Sequence, residues 1–153
     1  MTVPDKESER ELLDHFLKAR QRATGRSLTF DDVAERPDFI CVRRNRVRVG
    51  VEVTKVTFGP DGRLGLDPVD EVIRLIEKKE ASRALDGWLF ADRSILVLGC
   101  PHDSIADLAP DLLLRPNLPQ HGFLEIWLAD FTQEEAFGNV ELFGLYPAKW
   151  GRR

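Results

Sequence analysis

Arg36-Pro37-Asp38-Phe39-Ile40-Cys41-Val42-Arg43, then Arg44-Asn45-Arg46, then Val47-Arg48-Val49-Gly50-Val51-Glu52-Val53-Thr54-Lys55, sets the architecture of this chain. Pro37 restarts the backbone in extended form. Asp38 to Arg43 has the β-branched and aromatic content of a strand, and Val47 to Thr54 alternates so that four valines fall on one face. Arg44 to Arg46 is then the turn of a hairpin. With that three-residue loop Arg43 pairs with Val47, Asp38 falls opposite Glu52, and Phe39 and Cys41 share a face with Val49 and Val51. A two-residue loop would instead send Asp38 to the valine face, where an unpaired carboxylate is costly to desolvate.

Working outward, Leu12, Leu13, Phe16 and Leu17 recur at helical spacing and predict an amphipathic helix from about Lys6 to Ala23, ended near Gly25. A short strand is expected at Leu28 to Phe30. After the hairpin, Thr57 to Leu66 carries three glycines and Pro60 and reads as a loop. Asp67-Pro68 then makes an N-cap and first-turn pair for a second helix. Val69, Val72, Ile73 and Ile76 form its apolar stripe, and it ends near Asp86-Gly87. Ser94 to Cys100 is continuously apolar, as a central strand is. Asp103 to Leu114 suggests a helix broken around Pro110, and Phe123 to Ala129 and Val140 to Leu145 suggest two further strands. This order predicts an α/β fold, a mixed sheet flanked by helices.

The 153 residues (17.4 kDa) correspond to a single domain spanning 1–153. With 42% hydrophobic and 31% charged residues, the composition is that of a soluble globular protein and excludes collagen, coiled coil or whole-chain disorder. Two cysteines do not make a disulfide framework, the first ten residues lack the apolar core of a signal peptide, and no apolar run approaches the length of a membrane span. A cytoplasmic location is the expectation. The net charge of -4 argues against an indiscriminate polyanion binder. Its distribution is uneven, however: residues 36–55 hold six Lys or Arg and two acids, and those acids are Asp38 and Glu52.

Two carboxylates side by side on a hairpin repel unless something compensates, and a hard cation with oxygen ligands does so. Such an ion polarises a phosphoryl oxygen and lowers the pKa of a bound water, which is the chemistry of phosphodiester hydrolysis. The alternative is a surface hairpin in which Asp38 merely starts a strand and Glu52 is the polar half of an alternating pattern.

The Pro37-Asp38 pair, the basic hairpin and the Glu52-Val53-Thr54-Lys55 run, with one helix before and one after, resemble the PD-(D/E)XK nuclease superfamily. The resemblance implies a restriction-endonuclease-like mixed sheet in which Asp38 and Glu52 hold Mg2+ or Mn2+. It also implies an assisting acid on the first helix, for which Glu9 is the candidate on the inward edge, with Glu7 and Glu11 as competitors. The family's lysine sits two positions after the second acid, and here Thr54 stands in that place. Lys55 is one residue late and alternates toward Val51 and Val53. The second helix offers Lys79 on its inward stripe as a relocated lysine, whereas Lys78 points elsewhere; a solvated helix end is the plain alternative for both.

Arg43, Arg44, Arg46 and Arg48 crowd the hairpin and are candidate nucleic-acid contacts beside the metal site. Protection of an edge hairpin by charge is the alternative. Arg48 shares the face of Glu52 and is a candidate to neutralise it. The activity so implied is metal-dependent hydrolysis of nucleic acid, with DNA as the partner and a homodimer as the arrangement that would cut both strands of a duplex. Two alternatives stand beside it: an inactive nuclease-fold module that binds nucleic acid or a partner protein, and an α/β interaction domain unrelated to nucleases. His15 and His121 have no visible catalytic partner, Cys100-Pro101-His102-Asp103 reads as a strand-ending turn, and Trp88, Trp127 and Trp150 read as packing residues.

Overall fold

In the computed structural model the residues described are 5–56, 68–100, 118–130 and 140–147. Helix α1 (Asp5–Thr24) leads into strands β1 (Leu28–Val33), β2 (Phe39–Arg43) and β3 (Arg48–Lys55). Helix α2 (Pro68–Leu85) and a 3-10 turn (Ala91–Arg93) precede β4 (Ser94–Cys100), β5 (Glu125–Asp130) and β6 (Glu141–Tyr146). The six strands form one mixed sheet in the order β1-β2-β3-β4-β5-β6. Pairing is antiparallel for β1–β2, β2–β3 and β5–β6 and parallel for β3–β4 and β4–β5. The α/β class is therefore the one expected, and α2 is the crossover that a parallel β3–β4 pair requires.

The period-two pattern divides the apolar side chains between two layers. Phe39, Cys41, Val49, Val51, Val53, Ile95, Val97, Trp127 and Ala129 turn toward Leu12, Leu13 and Phe16 of α1. On the other face Leu96, Leu98, Ile126 and Leu128 pack with Val69, Val72, Leu75 and Ile76 of α2. Leu13, Phe16, Val72 and Ile76 are fully buried, and burial of each such side chain stabilises by roughly 1.5–3 kcal/mol. This two-sided burial explains why β4 reads as an uninterrupted apolar run. The first layer also holds a buried ion pair: Arg20 (3% exposed) donates from Nε and Nη2 to Glu125 (2% exposed) at 3.0 and 2.7 Å. Trp127 Nε1 donates to the same carboxylate at 2.7 Å.

Several boundaries differ from expectation. β1 runs on to Val33 through a bulge between Phe30 and Asp32, the kind of irregularity and polarity that edge strands carry. Phe123, expected in a strand, lies outside β5; it is buried in the α2 layer and stacks edge-on against Trp88, so its apolar character reports burial and not pairing. The helix expected over Asp103 to Leu114 and Trp150 lie outside the described residues. Among the described residues no helix is long and apolar enough to cross a membrane.

Candidate functional site

The hairpin register is the one a three-residue loop dictates. Phe39 faces Val51, Ile40 faces Gly50 and Cys41 faces Val49. Arg43 N–H donates to the Val47 carbonyl at 2.9 Å and Arg46 N–H to the Arg43 carbonyl at 2.8 Å. Arg46 takes the left-handed conformation (φ 69°) that closes such a loop. Continuing the register by one step sets Asp38 opposite Glu52. Both belong to the face that alternates away from Phe39, Val51 and Val53, which is the α2 face.

Three contacts hold the two acids in place. Asp38 N–H donates to Glu52 Oε1 at 3.1 Å, and Val53 N–H donates to Asp38 Oδ2 at 3.1 Å, so each carboxylate is braced by the backbone of the opposite strand. Lys79 Nζ, reaching in from α2, donates to Glu52 Oε2 at 2.6 Å. The backbone and ammonium donors are what make two adjacent acids tolerable. Even so, burial of Glu52 (7% exposed) and then the neighbouring Asp38 charge push its carboxyl above the ordinary value, against the opposing pull of Lys79.

Gly50 positions the start of β2. A Cβ at this residue would lie 2.5 Å from Pro37 Cγ, so only glycine lets the Pro37 ring seat against β3. The Arg36 carbonyl accepts from Leu89 N–H at 2.9 Å. Pro37 and Gly50 thus fix where Asp38 enters the hairpin, a role the sequence pattern left unassigned. Thr54 follows Glu52 on the same face, and its Oγ1 is buried with no hydrogen-bond partner among the described residues.

Other candidates are placed elsewhere. Lys55 pairs in β3 opposite Gly99 of β4 with no intervening irregularity and is exposed. Lys78 is exposed on α2. Glu9 belongs to α1, whose inward residues cover the opposite face of the sheet. Arg48 does not neutralise Glu52: it is exposed, and its Nε lies 3.5 Å from Asp31 Oδ2 on the bulged part of β1. Nor do Arg43, Arg44 and Arg46 sit beside the acids. They form the hairpin tip, which begins five residues and about 17 Å of strand from Asp38. The carboxylates instead lie midway along β3, where Glu52 pairs with Leu96 of the parallel strand β4.

Among the described residues no group of three or more His, Cys, Asp or Glu side chains is disposed to hold a metal ion. Among the described residues the oxygen donors at this position are Asp38 and Glu52, with the Thr54 hydroxyl on the same face. Comparison with protein-family models, with curated proteins and with solved structures finds no match for this chain.

Proposed function

We propose that this chain is a metal-dependent nuclease with a restriction-endonuclease-like fold, hydrolysing phosphodiester bonds in DNA. The observation that carries the reading is the juxtaposition of Asp38, Glu52 and Lys79: two carboxylates braced across one hairpin, and an ammonium 2.6 Å from the second of them. The donor chemistry fits a hard divalent cation, since Asp38 and Glu52 offer carboxylate oxygens and Thr54 a buried hydroxyl without a partner among the described residues. Mg2+ or Mn2+ held by Asp38 and Glu52 would supply Lewis-acid polarisation of a phosphoryl oxygen and a more acidic water.

The chain's own groups divide the remaining work. Lys79 has three N–H donors and gives one to Glu52, which leaves two for a water or a phosphoryl oxygen. Its ammonium thereby serves from α2 the role that the family's lysine serves from the strand, while Thr54 keeps a short polar group in the strand position. The backbone bonds from Asp38 and Val53 hold both carboxylates in fixed rotamers, so little reorganisation is needed when a substrate arrives.

One observation favours a second reading. Lys79 already offsets the Glu52 charge, an ion pair that a non-catalytic nucleic-acid or protein-binding descendant would retain for stability alone. A cleavage assay separates the two. Supercoiled, linear and single-stranded DNA and RNA are incubated with the protein and Mg2+ or Mn2+, beside Asp38→Ala, Glu52→Ala and Lys79→Met. The nuclease reading expects metal-dependent cutting of DNA, loss of cutting in both alanine variants, and a decrease of about a hundredfold for Lys79→Met. Cutting that survives both alanine substitutions, or no cutting of any substrate with either metal, would contradict it.

A further inference from the structure

A second feature lies at the opposite end of the same hairpin. A cavity of about 610 Å³, within the range of small-molecule sites, opens between the end of α1 and the β2–β3 turn. Arg20, Arg26, Ser27, Arg43, Arg44 and Asn45 contribute to its lining, and none of the described lining residues is acidic. Arg20 belongs to the wall: its guanidinium is committed to Glu125 and, through Nη1, to the Arg26 carbonyl at 3.2 Å. Arg26, Arg43 and Arg44 are different. Each is a full cation with no carboxylate partner among the described residues.

Local structure holds these side chains around one space. Gly25 ends α1 in the left-handed region (φ 72°), and Thr24 Oγ1 accepts from Arg26 N–H at 3.1 Å, which fixes the connection into β1. Leu28 pairs with Arg43, so this connection runs alongside the hairpin tip. At the tip Asn45 Oδ1 accepts from Val47 N–H at 3.2 Å. The carboxyl end of α1 contributes about half a unit of negative charge. That is too little to balance three guanidiniums, so the wall keeps a positive potential that attracts an anion. Guanidinium forks match phosphate oxygens two at a time, and Ser27 and Asn45 add polar groups to the same wall.

We infer that this cavity binds a phosphate group, carried by a free nucleotide-sized ligand or by a nucleic-acid strand. The inference does not rest on the carboxylate pair being catalytic, and its test excludes divalent metal. Binding of inorganic pyrophosphate, a 5′-mononucleotide and a short single-stranded oligonucleotide is measured by isothermal titration in EDTA at low salt. The proteins compared are the intact chain, the Arg26→Ala/Arg44→Ala double variant and Arg74→Ala, an exposed arginine of α2 paired with Glu71. Melting temperature verifies that each variant is folded.

The double variant weakens binding by at least about tenfold, because two charge-assisted contacts are lost, whereas Arg74→Ala leaves it within about twofold. Arginine-dependent binding of pyrophosphate or the mononucleotide assigns the phosphate to a free ligand. Arginine-dependent binding of the oligonucleotide alone assigns it to a strand. Binding of no probe, or binding that the folded double variant keeps unchanged, would overturn the inference.

Discussion

Glu52 concentrates the electrostatic tension of the molecule. It is buried, faces a second carboxylate across the hairpin and holds one ammonium. Its folded-state pKa is raised above the ordinary 4.5, first by burial and then by Asp38. A raised value means that Glu52 adds stability when protonated; that contribution is fully present below its unfolded pKa and is lost as pH rises through the folded one. Glu71 and Glu80 are shifted the other way by Arg74 and Arg83, so the whole-protein profile mixes opposing slopes. The difference between Glu52→Gln and the parent isolates the residue. In EDTA the melting temperature of the variant relative to the parent should climb as pH rises from about 4 toward neutrality, and a difference independent of pH would contradict this assignment.

At the level of elements, much was legible because the pattern was strong. The alternation of Val47 to Thr54 and the arginine-rich turn sufficed to derive the pairing of Phe39 with Val51, and the α2 stripe that includes Ile76 sufficed to aim Lys79 inward. What escaped required contacts between distant segments. Arg48 finds Asp31 only because of a bulge in β1, and the tip arginines face the end of α1 only because Leu28 pairs with Arg43. Neither register leaves a periodic trace in the sequence. Pro37 and Gly50 are thirteen positions apart, and their fit emerges only when β2 and β3 are laid side by side.

The Arg20–Glu125 pair is the polar tie between α1 and β5, and it is buried on both sides. Removing one member of a buried pair strands the other. Arg20→Met should therefore lower stability by about 3–5 kcal/mol, read from denaturant midpoints, far beyond the exposed Arg10–Asp14 pair, where about 0–1 kcal/mol is expected. A loss under about 1 kcal/mol would show that this tie is not a main fastening of the helix to the sheet.

At the scale of the whole molecule, the sheet separates charge between its ends as well as its faces. An acidic pair with its lysine lies midway along β3 on the α2 face, and a basic cavity lies at the hairpin tip beside α1. The net charge of -4 conceals this arrangement, since the basic residues of 36–55 lie mostly around the tip and the two acids of that segment lie at its other end. The hairpin connects the two places through about 17 Å of regular strand. The central claim is that Asp38 and Glu52 together hold a divalent cation, and titration of Mn2+ into the purified chain tests it directly by calorimetry. The account predicts one saturable site whose affinity falls by more than about tenfold in both Asp38→Asn and Glu52→Gln, since even supporting groups of metal sites contribute that much. Absence of binding, or equal affinity in the parent and both variants, would contradict it.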